Sequence, residues 1–286
     1  MTELIKSNAD QLDLFVADLI EVTPKSDIDS MEYPFFAIST RPDTSEFRFE
    51  NPKTGSWLEI SPSAKGRATI LDKDLLIYCY GQLAEAENRG RPISRRLKIT
   101  PYDFMKTTCR STDGRAYKRL VDTVARLRGT VFRTNIVGNH KNTKGHIFGL
   151  IDNAKWVTDQ NGRMQHLEIT LSEELYSALG NRKRILTYNQ EYFALSSPWD
   201  RRMYEICRKH CGNQMIWEIG LEKLWYKFGA KSQLKEFRRM LKKAETKQNI
   251  PDYFITYEKG GKGALEKLIV MNDKKGLHKE QALSLV

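Results

Sequence analysis

Four cysteines in 286 residues are too few for a disulfide framework. No apolar run approaches the ~18 residues that cross a membrane, and the first residues lack the basic and apolar stretches of a signal peptide. These absences lead to the expectation of an intracellular, reduced protein with no membrane partner. The five histidines (His140, His146, His166, His210 and His278) include no close pair that could hold a metal beside a nucleophilic tyrosine, as a strand-nicking enzyme would need. Cys207, His210 and Cys211 share a helical face, but a closed zinc site needs a fourth ligand, so buried packing is the expectation. The glycine-rich stretch 260–264 lacks the spacing and the following helix of a P-loop. Asp72 and Asp74 read as charges at a helix N-terminus and not as a catalytic pair. No enzyme, metal or cofactor is expected. No Gly/Ser-rich or Pro-rich linker divides the chain.

Positive charge is plentiful and unevenly spread. The net charge is +11, yet residues 1–32 hold eight acids against Lys6 and Lys25, a net of −6 that leaves +17 on the remainder. So basic a body implies a polyanionic partner. No long basic amphipathic segment with an aromatic apolar face favours a membrane surface, so nucleic acid is the better candidate.

The expected fold class is α+β, with two tandem winged-helix domains behind an N-terminal acidic arm. Residues 1–32 form the arm, 33–160 the first domain, 161–271 the second and 272–286 a polar tail. In the first domain, 72–90 and 101–108 read as helices with a short strand at 96–100 between them. A third helix follows, with Tyr117, Leu120, Val124 and Leu127 along one stripe. Residues 130–136 and 146–152 then read as a hairpin wing. The second domain repeats the order with helices at 198–212 and 220–228 and a strand at 216–219. Its third helix, 231–247, has Ser232 at the N-cap position and Leu234, Phe237, Leu241 and Ala244 along its stripe. Strands at 252–258 and 264–271 close it. The two stripes share one spacing, offset by 117 positions, and a shared order of elements at fixed register is an internal repeat.

A third helix that docks by one edge and offers basic, hydrogen-bonding side chains by the other can enter a DNA major groove. The candidates on the second domain are Ser232, Lys235, Glu236, Arg239, Lys242 and Lys243. Arg239 and Lys235 could reach guanine, and Glu236 could accept from cytosine N4. Lys259 and Lys262 on the glycine-rich tip would touch phosphate. Ser111, Arg115, Lys118, Arg119 and Arg126 occupy the matching face of the first domain, with Asp122 among them. The competing readings are a solvated surface helix for the second face and a protein–protein face for the first.

Two resemblances sharpen this. Gln11-Leu12-Asp13-Leu14-Phe15 resembles the pentapeptide by which bacterial replication proteins dock on the sliding clamp; Leu14 and Phe15 would be its apolar anchors. The patches YPFF at 33–36, DKDLLIYC at 72–79, RLKITPYDF at 96–104, RTNI at 133–136, RRMYEICRKHCG at 201–212 and EFRRM at 236–240 resemble the plasmid replication initiator protein A family. That resemblance implies a bacterial cytoplasmic protein that binds repeated origin sites (iterons) in double-stranded DNA as a monomer and helps open the duplex. It also implies partners in the host initiator, replicative helicase and clamp, and a solution dimer that represses its own promoter. The alternative is a winged-helix transcriptional repressor that loads no replisome. No residue-level match fixes the base contacts, the site sequence or the helicase surface.

Overall fold

The computed structural model describes residues 13–136, 145–160, 163–260 and 265–273. The chain divides into one unit of Met1–Asp27 with Phe35–Thr187 and a second of Ile28–Pro34 with Tyr188–Val286. In chain order come β1 (Phe15–Ala17), β2 (Lys25–Asp27) and α1 (Ile28–Glu32), the last in the second unit. The first unit continues with β3 (Phe47–Asn51), β4 (Ser56–Ser61), α2 (Lys73–Asn88), β5 (Arg96–Ile99), α3 (Pro101–Thr107) and α4 (Gly114–Gly129). It ends with β6 (Val131–Thr134), β7 (His146–Phe148), β8 (Ile151–Thr158), β9 (Met164–Leu171), α5 (Glu173–Leu179) and β10 (Ile185–Thr187). The second unit adds α6 (Pro198–His210), β11 (Ile216–Gly220), α7 (Leu221–Phe228), α8 (Leu234–Lys247), β12 (Tyr253–Glu258) and β13 (Lys267–Asn272).

One plan occurs twice. Helix, strand, two helices and two strands follow as α2-β5-α3-α4-β8-β9 and again as α6-β11-α7-α8-β12-β13. In both sheets the last strand lies in the middle, β5-β9-β8 and β11-β13-β12. Each is a winged helix. Proline opens α3 and α6 at the first turn, where a missing N–H costs nothing. Gly229 ends α7 in the left-handed region (φ 62°), which lets the chain turn sharply into α8.

The pairing corrects the expected wing of the first module. Residues 130–136 and 146–152 do not close it: β6 and β7 join β3 and β4 in a separate four-stranded sheet. Phe132 stacks on Phe148 at 5.5 Å and lies 5.5 Å from Phe35, over buried Leu58 and Ile60, so this sheet has its own apolar layer. The wing is instead the β8–β9 hairpin, paired from Ile151↔Leu171 to Thr158↔Met164. A domain boundary at 160/161 would cut that hairpin between its strands. The division between units falls at Thr187 and Tyr188.

The expected free arm is likewise corrected for its described residues. β1 pairs in parallel with β5, Phe15 opposite Leu97, and Phe15 and Ala17 are buried. Ser94 Oγ donates to the Asp13 carbonyl at 2.6 Å, and the Gln82 amide bonds both the N–H and the C=O of Leu19, at 3.1 and 2.9 Å. A Cβ on Gly81 would come within 2.8 Å of Val22 Cγ1 and 3.0 Å of the Thr23 carbonyl, so only glycine lets α2 lie this close to the segment. In this arrangement Phe15 is a core residue and not an available anchor; Gln11 and Leu12 lie outside the described residues.

The second unit holds α1 through one buried arginine. Arg202 donates to the carbonyls of Ser30, Met31 and Glu32 at 3.1, 2.9 and 3.3 Å, and to the Lys227 carbonyl at 2.6 Å. These are helix-end carbonyls that lack partners within their own helices. Glu32 then meets Lys227 Nζ and lies 2.7 Å from His210 Nε2. Burial opposes ionisation of Glu32, but the contacts from His210 and Lys227 outweigh it and hold its pKa at about 2. His210 also stacks on Trp217 at 4.9 Å, and burial lowers its pKa. Cys207 and Cys211 are buried nearby, and among the described residues no cluster of three His, Cys, Asp or Glu side chains could hold a metal.

Candidate nucleic-acid interface

Helix α8 is fixed by its apolar stripe. Phe237, Leu241 and Ala244 are buried, with Phe237 4.9 Å from Phe228 and 6.0 Å from Trp199, ring to ring. Gln233, not Ser232, occupies the N-cap position, and no side chain caps the helix. Ser232 instead accepts a hydrogen bond at its carbonyl from Trp225 Nε1 (2.9 Å), which ties the turn to α7. At the other end Gln248 adopts a left-handed conformation (φ 47°), and its amide bonds both the N–H and the C=O of Ile255. Glu245 accepts from the Tyr257 N–H at 2.9 Å. Side chains at the end of the helix are thus bonded to the backbone of the wing.

The opposite face is open. Ser232, Lys235, Glu236, Arg239, Lys242 and Lys243 are all exposed. Among the described residues no acid lies within ion-pair distance of Lys235, Lys242 or Lys243; Lys242 Nζ sits 5.6 Å from the Tyr257 ring centre. Arg239 is differently placed: its Nε lies 3.1 and 3.0 Å from the two carboxylate oxygens of Glu236, and its Nη2 lies 2.6 Å from Oε1. The hydrogen bond lowers the Glu236 pKa and raises that of Arg239. Neighbouring Arg238 turns inward to Glu266 at 2.9 Å, at the foot of β13. On the wing, Lys267 bridges Glu218 and Glu258 at 3.1 Å each, and Lys259 is exposed beyond them. Lys262 lies outside the described residues.

Helix α4 presents a shorter basic face. Asp113 caps it by accepting from the Ala116 N–H at 2.8 Å, and Leu120, Thr123, Val124 and Leu127 are buried. Ser111, Arg115, Lys118 and Arg119 are exposed as expected, Arg119 lying 3.9 Å from Asp113. Arg126 is a correction. Its Nε and Nη2 donate to Asp72 at 2.8 and 2.7 Å, and Asp72 also accepts from the Thr123 hydroxyl at 2.7 Å and the Thr69 N–H at 2.8 Å. The guanidinium is spent inside its own domain, and its pKa is raised by the Asp72 bonds. Asp74 is paired in the same way with Arg110 at 2.9 Å, so both acids act as internal partners. Asp122 meets Lys65 at 3.1 Å.

Sequence reasoning missed the cations of the true first wing. Lys155 is exposed on β8, and Arg163 is exposed immediately before β9. The available signals were the β-type residues Trp156-Val157-Thr158 and the alternation of Met164–Leu171, but they compete with the equally regular β6.

The chain matches replication initiator protein A over residues 25–255. A protein of Wigglesworthia glossinidia brevipalpis described as "Putative replication protein" is 39% identical over 258 residues, covering 88% of this chain and 92% of the relative. Two crystal structures of domains 2 and 3 of RctB share the fold at 13% identity, with TM-scores of 0.61 and 0.53. They cover 87% and 86% of this chain and 99% and 96% of their own. No described helix is long and apolar enough to cross a membrane. On the family match and the 39% identity, the chain belongs to the replication initiator protein A family.

Proposed function

We propose that this protein initiates plasmid replication by binding repeated sites in origin DNA, with α8 in the major groove and the β12–β13 wing on the adjacent backbone. The observation that carries the reading is the division of α8 into a buried apolar stripe and an open face of Lys235, Arg239, Lys242 and Lys243. Lys259 extends that face along the wing as a phosphate contact. In the first module Arg115, Lys118 and Arg119 supply backbone contacts, joined by Lys155 and Arg163 of the corrected wing. No catalytic residue and no metal enter the proposal: the protein opens the duplex by binding, and polymerisation belongs to host proteins.

Recruitment of the host initiator, helicase and clamp is inferred from membership of the family. It is not assigned to Gln11–Phe15, because Phe15 is built into the first unit. The test is a plasmid that lacks its own origin and carries only this gene with its flanking repeats. The proposal expects it to replicate in a bacterial host, and expects Lys242→Ala with Lys243→Ala to abolish replication. Repression of the gene's own promoter without replication would leave the repressor reading in its place.

A further inference from the structure

The Glu236–Arg239 pair is more specific than two charges one helical turn apart. Residues three apart share a helix face, and exposed pairs of this kind contribute little to stability. The geometry matters more than the energy. Arginine carries five N–H donors on a planar fork. The bonds to Glu236 occupy the side edge of that fork, the Nε–H and one N–H of Nη2. The end edge, one N–H each on Nη1 and Nη2, points away from the carboxylate and meets only the thioether of Met240, a weak acceptor 3.8 Å from Nη2 that a base edge would displace. Two parallel donors are what guanine O6 and N7 accept in the major groove. A carboxylate already facing a guanidinium at 2.6 to 3.1 Å is poorly placed to accept from a cytosine amino group as well. Left unpaired, the same carboxylate would be repelled by the DNA phosphates.

We infer that Glu236 is a positioning residue that holds Arg239 edge-on for bidentate contact with one guanine, and that it reads no base itself. The inference rests on the reading that α8 enters the major groove. Glu236 supplies orientation at the cost of a local negative charge. Its removal therefore lowers discrimination while raising affinity for unrelated DNA.

The experiment is selection of bound duplexes from a random-sequence pool by the full-length chain, followed by competition binding on the selected duplex and on copies with each base replaced. Wild type should select a guanine at one position and discriminate against its replacement about tenfold. Arg239→Ala should erase that preference alone. Glu236→Ala should reduce the same preference severalfold and strengthen binding to unselected duplex, and it should have no further effect on that position in the Arg239→Ala background. Both side chains are exposed, so melting temperatures should not move, and a residue with a merely structural role would not alter one column of the selected sequence. Loss of a cytosine preference in Glu236→Ala, with the guanine retained, would overturn the inference. So would an unchanged selection. An Arg239→Ala protein that recovers the full wild-type motif would reject the groove placement of α8 itself, which is a separate result.

Discussion

Helices α4 and α8 occupy the same place in the same fold, yet the chemistry along them diverges position by position. At the offset of 117, Lys118 matches Lys235, but Asp122 stands where α8 has Arg239, Ala125 where it has Lys242 and Arg126 where it has Lys243. The last pair is the most instructive. Arg126 is locked on buried Asp72, whereas Lys243 is exposed with no acid in reach among the described residues. The first unit therefore spends the C-terminal half of its third helix on holding α2 and α4 together. The second leaves Lys235, Lys242 and Lys243 open to solvent along α8, and its paired cation on this face, Arg239, is bound to an exposed acid of the same helix. A net-charge count of each face cannot see this difference, because Arg126 adds to the count while its charge is consumed internally.

The largest expected effect breaks that asymmetry from the first unit. Arg126→Ala leaves Asp72 buried with only hydroxyl and amide partners, and should cost about 3 kcal/mol of stability in chemical denaturation. Lys243→Ala should change stability by no more than about 0.5 kcal/mol. On the DNA side, Arg239→Ala should cost about 1–3 kcal/mol of specific binding and relax one base position, measured by competition with single-base variants.

A third expectation concerns the way the second unit holds α1. Glu32 has its pKa depressed to about 2 against an ordinary 4.5, so the carboxylate stabilises the fold above pH 4.5, and that contribution is lost as pH falls toward 2. Its magnitude should be on the order of 2 kcal/mol. Denaturation of wild type and Glu32→Gln should differ fully at pH 6, begin to converge below pH 4.5 and meet only as pH approaches 2. A gap that stays constant would remove the ion pair from the account. The smallest effect is electrostatic: Lys243→Ala should weaken binding to all sequences alike and shallow the dependence of log K on log salt by about 0.9.

Much of this architecture was legible in the sequence. The apolar stripes of α4 and α8, the prolines opening α3 and α6 and the glycine ending α7 are local signals with local causes. What stayed hidden depends on distant partners. Arg126 looks like any exposed helical arginine until Asp72, 54 positions away, is placed against it. β6 alternates as cleanly as β9, and only pairing with β5 decides which hairpin is the wing. Phe15 reads as a mobile anchor because a three-residue strand has no periodicity to reveal it; its burial comes from pairing with Leu97. The pairing of Glu236 with Arg239, three positions apart, was within reach of sequence reasoning, which read the two as separate base contacts.

Under the proposed function α8, and not α4, gives the protein its sequence preference. Two triple variants on one selected duplex across a salt series separate the helices: Lys235→Ala, Arg239→Ala, Lys242→Ala in α8, and Arg115→Ala, Lys118→Ala, Arg119→Ala in α4. All six side chains are exposed, so both proteins should fold. The α8 variant should lose discrimination between selected and unselected duplex, while the α4 variant should keep that ratio and lose affinity for both. Discrimination that survives in the α8 variant and vanishes in the α4 variant would contradict it.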